Sequence, residues 1–174
     1  MKVRYSFIEQ KAEELRQKVE CIIPTPVESL VTMNGIVLKT DAELDGDVSG
    51  FSLSENGKKA ISVRSSDSIL RKRFTIAHEL AHLLLHEDRT LNINTGSVIL
   101  FRNQHSKTGE DWREIEANHF AACLLMPKSA LVKELAAATH GGSVTENTIE
   151  HLALHFEVSV QAMSVRLAVL GVSL

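Results

Sequence analysis

Apolar positions along the chain follow two rhythms, one of about 3.6 residues and one of about 2, and their succession sets the expected architecture. Ile8, Ala12, Leu15 and Val19 recur at helical spacing, and Ser6 with Glu9 reads as a capping box at the start of that helix. Pro24 and Pro26 interrupt it, after which residues 27–33 form a short helix stopped by Asn34-Gly35. Residues 36–40, 48–54 and 59–64 read as strands, the last two joined by Asn56-Gly57, a strong hairpin turn. A long helix begins near Lys72. Beyond it, residues 97–101 read as a further strand and 102–111 as a polar loop. A second long helix over residues 113–126 ends at Pro127, and another over 129–138 is stopped by Gly141-Gly142. Two more helices, over 147–156 and 160–170, flank the turn Glu157-Val158-Ser159. Strands grouped before a run of helices predict an α+β fold.

The helix over residues 71–86 reads RKRFTIAHELAHLLLH. At about 100° per residue, Thr75, His78, Glu79, His82 and His86 share a sector of about a quarter of the circumference. Phe74, Ile76, Leu80, Leu83 and their neighbours make the rest apolar, which marks a buried helix. A solvated face would carry Lys, Glu and Gln; this sector carries three imidazoles and a carboxylate, which are costly to bury without a partner. The bland reading makes them core histidines satisfied by hydrogen bonds. The sharper one rests on His78, Glu79 and His82, in the order His-Glu-x-x-His. Residues four apart on a helix share a face, so both imidazoles can reach one metal ion, and Glu79 can take a proton from water activated there. Zinc is the usual occupant of such a set, with manganese and iron left open on affinity alone.

A catalytic zinc needs a third protein ligand and keeps its fourth position for water. His86 lies one further turn along the same helix, but three ligands in line wrap poorly round a tetrahedral ion. The helix over 113–126, REIEANHFAACLLM, offers Glu114 and Glu116. On a wheel Glu116 falls among Phe120, Cys123 and Leu124, whereas Glu114 falls on a more mixed side with Asn118, Ala121 and Leu125. A carboxylate inside an apolar arc is costly unless it binds something, so Glu116 is the expected third ligand, an exposed helix position being its alternative. The donor that stabilises the oxyanion is not identified; Tyr5, His86, His105, His119, His140, His151 and His155 are all available. His119, one turn beyond Glu116, could also orient a ligand from behind.

RFTIAHELAHLLLH, followed about thirty residues later by EIEANHFAACLLMP and then by LALHFEVSVQAMSVRLAVLG, resembles the ImmA/IrrE family of zinc metallopeptidases. The resemblance runs roughly over residues 61–171 and is weakest in the first sixty. It implies a bacterial or phage protein that cleaves or inactivates a helix-turn-helix transcriptional repressor. It further implies that zinc is bound by the two histidines and the glutamate preceding Ala-Asn, here His78, His82 and Glu116, with Glu79 as catalytic base. The expected architecture is zincin-like: a small antiparallel or mixed sheet packed on the active-site helix, with a helical C-terminal part.

Composition narrows the alternatives. A chain of 174 residues with 44% hydrophobic content supports one domain over 1–174, with a catalytic body at 1–138 and a helical tail at 143–174 packed on it. No signal segment and no apolar run of membrane-spanning length are visible, so a cytoplasmic location is expected. Cys21 and Cys123 fit no metal-ligand spacing and are expected to be reduced thiols. The last two helices have the outline of a helix-turn-helix, making a DNA-binding regulator the rival class. Glu146, Glu150 and Glu157 against Arg166 alone argue otherwise, as does the net charge of −3. A third class is a zinc-bearing regulator, or a toxin or antitoxin component, that binds its partner without cutting it.

Overall fold

The computed structural model describes residues 2–86, 91–95, 111–139 and 142–172. Among them the elements run α1 (Tyr5–Gln17), α2 (Val27–Met33), β1 (Val37–Ala42), β2 (Val48–Glu55), β3 (Lys58–Arg64), α3 (Ile69–Leu85), β4 (Leu91–Thr95), α4 (Asp111–Leu125), α5 (Lys128–Thr139), α6 (Glu146–Phe156) and α7 (Val160–Val169). The class is α+β, as the alternation of rhythms predicts.

Asn56 and Gly57 both take positive φ, 50° and 77°, the backbone that a tight β2–β3 hairpin requires. The sheet has the order β1-β3-β2-β4 and is mixed: β1 runs parallel to β3, while β2 is antiparallel to both β3 and β4. Strand β4 lies where the sequence signalled none. Its apolar residues Leu91 and Ile93 are exposed on an edge strand, so no buried alternation marks it. The strand expected at 97–101 lies outside the described residues, as does the loop expected at 102–111 except for Asp111, which opens α4.

Helix α3 begins three residues before the expected Lys72, because Ser68 caps it by accepting from the Arg71 backbone N–H at 3.3 Å. Ile69 and Leu70 in its first turn are exposed, which is why apolar periodicity starts late. The helix lies on the sheet where β2 has no side chain: a Cβ on Gly50 would come 2.5 Å from Thr75 Cγ2 and 2.9 Å from the Ser62 carbonyl. Gly50 and Ser52 alternate onto the same sheet face, and Thr75 and Glu79 are one helical turn apart. Close approach at the first pair therefore brings Ser52 against Glu79.

Helix α1 starts at Tyr5 without the expected capping box: Arg4 is its N-cap position, and no side chain caps it. The Arg4 backbone N–H is instead taken up by Glu116 Oε1 at 3.0 Å, so a tertiary contact replaces the local one. Helix α4 packs against α1 on one side and α3 on the other, and Ala117, Phe120, Ala121, Leu124 and Leu125 are all buried. They join Ile8, Leu15, Leu30, Ile61, Ile76 and Leu80 in one apolar cluster that also takes in Leu152, Met163 and Leu167 from α6 and α7. Full burial of each such side chain stabilises the fold by about 1.5–3 kcal/mol before entropy is counted. Leu154 on α6 is 77% exposed. Glu157 takes the left-handed conformation between α6 and α7, Ser159 caps α7, and the two helices bend by 106°. No single helix among the described residues is long and apolar enough to cross a membrane.

Candidate metal centre

His78 and His82 stand one turn apart on the middle of α3, buried at 3% and 2% exposure, with their Nε2 atoms 3.0 Å from each other. The carboxylate that reaches them is Glu114, in the first turns of α4. Its Oε2 lies 3.3 Å from His78 Nε2 and its Oε1 3.2 Å from His82 Nε2. Zinc bonds of about 2.0–2.2 Å to nitrogen and oxygen at a tetrahedral angle place donor atoms roughly 3.3–3.5 Å apart. The three donors therefore already hold nearly the spacing that one zinc-sized ion demands, and the set of two imidazoles and a carboxylate suits zinc chemically.

Glu116, the third ligand expected from sequence, is not the carboxylate that the structure brings to the imidazole pair. Glu116 is fully buried, as its apolar arc implied, but its charge is met elsewhere. Arg4 donates from Nε to Oε1 at 3.0 Å and from its terminal nitrogen to Oε2 at 2.6 Å, and His86 Nε2 is 3.1 Å from Oε2. The inference that a buried carboxylate must have a partner holds; the partner is a guanidinium fork from the chain's start. Because α4 is packed on both sides, an apolar arc does not tell which helix it faces. Glu116 meets Arg4 at the start of α1, whereas Glu114 and Asn118 meet His78 on α3.

Behind the donors a second layer fixes the rings. His78 Nδ1 is 2.9 Å from Asn118 Oδ1, one turn beyond Glu114; a proton on Nδ1 shared with that oxygen would leave Nε2 as the metal-facing atom. His82 Nδ1 meets His86 Nδ1 at 3.3 Å, and His86 in turn meets Glu116. His86 is thus a support for His82, and the edge of the Trp112 ring stacks on it with centroids 5.3 Å apart. Asn118 and Arg4 were not singled out from sequence. Asn118 had a usable signal, since it lies four residues from Glu114; Arg4 had none.

Glu79 is fully buried next to the pair, and Ser52 Oγ donates to its Oε2 at 2.7 Å. Burial pushes the His78 imidazole down, but its hydrogen bond to Glu114 and the charges of Glu79 and Glu114 outweigh that, and the net shift is upward. For Glu114 desolvation acts upward, and the hydrogen bonds from His78 and His82 overcome it, holding the carboxyl well below the usual range. Burial likewise raises Glu116, while Arg4 and His86 more than offset it and bring it down to about 2. Both acids are therefore anionic at neutral pH. Of the oxyanion candidates, His86 is committed to His82 and Glu116, Tyr5 stacks on His119, and His151 and His155 are exposed on α6. His105 and His140 lie outside the described residues.

The family model for Peptidase_M78, the IrrE N-terminal-like domain, matches residues 35–168. No curated protein matches the chain. A solved structure of a Mycobacterium tuberculosis transcriptional regulator superposes with a TM-score of 0.59 at 18% identity, over 94% of this chain and 46% of that one. The chain thus spans less than half of that regulator, and the likeness concerns the fold alone.

Proposed function

The chain belongs to the Peptidase_M78 family, and on that premise we propose that it is a zinc-dependent endopeptidase whose ligands are His78, His82 and Glu114 and whose catalytic base is Glu79. The observation that carries the reading is the convergence of the three donor atoms from α3 and α4 beside a buried glutamate. A zinc ion held by His78, His82 and Glu114 would supply Lewis acidity toward a peptide carbonyl and would lower the pKa of water from about 15.7 to about 7.

The chain's own residues then divide the work. Ser52 holds one oxygen of Glu79, fixing the rotamer of the base. Glu79 takes the proton of the attacking water and delivers it to the leaving amine, acting as base and then acid. Asn118 and His86 hold the imidazoles in the orientation that keeps both Nε2 atoms directed at Glu114. The substrate proposed from the resemblance is a protein partner, a helix-turn-helix transcriptional repressor encoded nearby. A direct DNA-binding role is weakened by Arg166, the sole Lys or Arg of α6 and α7: it is buried and donates from Nε to the Met126 carbonyl at 3.1 Å.

The test uses the zinc-loaded chain, the neighbouring repressor and a gel. A discrete repressor fragment with the wild type, absent with Glu79→Gln, is the expected result. The same fragment from both proteins rejects the peptidase, and stable binding without cutting by either supports the non-proteolytic regulator instead.

A further inference from the structure

We propose that Glu9, His119 and Cys123 form a second metal site, separate from the His78–His82 pair, for a thiophilic divalent cation of the zinc class. Helices α1 and α4 bring these residues together. Cys123 Sγ is 3.5 Å from His119 Nε2, and Glu9 Oε1 is 3.6 Å from the same nitrogen. All three donor atoms lie within 4.8 Å of one another. Zinc bonds of about 2.3 Å to sulfur and 2.0–2.1 Å to nitrogen at a tetrahedral angle separate those two atoms by roughly 3.5 Å, so the sulfur–nitrogen spacing fits without rearrangement.

His119 presents Nε2 to both Cys123 and Glu9. It is 3% exposed, the edge of Tyr5 packs on it at 4.8 Å, and its Nδ1 is buried without a hydrogen-bond partner among the described residues. Its polar engagement is therefore confined to the edge shared with Cys123 and Glu9. Burial, helped by the charge of Arg166, holds the imidazole below its usual pKa, which keeps it in the neutral form that binds metal. Without a cation the thiol is inert, since burial pushes it up to about 11. A coordinating ion deprotonates such a thiol outright, and the released proton goes to solvent. An open pocket of about 570 Å³ borders Glu9 and Cys123 and is lined also by Glu13, Lys128, Ser129 and Arg166, so these two donors are reached from solvent.

Cobalt(II) distinguishes the two centres, because a thiolate ligand gives an intense near-ultraviolet charge-transfer band that a site of two imidazoles and a carboxylate lacks. Titrating the full chain with Co2+ should develop this band. It should vanish in Cys123→Ser, persist in Cys21→Ser, and require about tenfold or more higher cobalt in Glu9→Gln, a surface change that spares the fold. The proposal is overturned by the absence of the band in the wild type. It is equally overturned by survival of the band in Cys123→Ser, or by a Glu9→Gln titration identical to the wild type.

Discussion

Glu114 and Glu116, two residues apart on α4, answer to different neighbours, and the difference is open to substitution. Glu114→Gln removes a donor, so zinc affinity measured by chelator competition should fall well beyond the about 10–100-fold range typical of supporting residues. Glu116→Gln acts only through His86 and should stay within that range. Equal losses would contradict the assignment. The Arg4 fork makes a separate prediction: Arg4→Met leaves a buried carboxylate short of its main partner and, with Arg4 itself partly exposed, should cost about 1–2 kcal/mol in urea unfolding. Arg4→Met/Glu116→Leu, which removes both charges, should recover most of that loss. At this scale the pairing of the His78 and His82 side chains was legible in the sequence, because a helical repeat of four is a local property. The choice between the two glutamates was not legible, since it depends on Arg4, which is 112 positions away and joins Glu116 only in the folded chain.

Elements position the chemistry through a few close contacts. Helix α3 can lie low on the sheet because Gly50 offers no side chain to Thr75, and the same approach brings Ser52 to Glu79. Gly50→Ala should therefore lift α3 off β2, costing about 1–3 kcal/mol in unfolding free energy. It should also slow peptide cleavage more than Ser52→Ala does, because it displaces the helix as well as the base. A Gly50→Ala protein with unchanged stability and activity would show that the helix sits there for another reason. The long helices and the hairpin were readable from period and turn residues. The start of α1 was not, because Glu116 rather than Ser6 takes up the backbone there, and β4 was not, because its apolar side chains face outward.

Across the whole molecule, α4 is the shared wall: one side completes the imidazole pair from α3, and the other packs on α1 with its own cluster of Glu9, His119 and Cys123. Metal that binds only the folded chain must stabilise it, by about 4 kcal/mol when the free ion is a thousand times its dissociation constant. Chelation should accordingly lower the melting temperature of the loaded protein, and an unchanged melting curve would mean that no folded-state metal was present. The most direct measurement of the central claim is an anomalous difference map, collected at the zinc edge from crystals of the zinc-loaded protein. The account predicts a peak bonded to Nε2 of His78, Nε2 of His82 and a carboxylate oxygen of Glu114. A peak bonded to Glu116, or none between the two imidazoles, would contradict it.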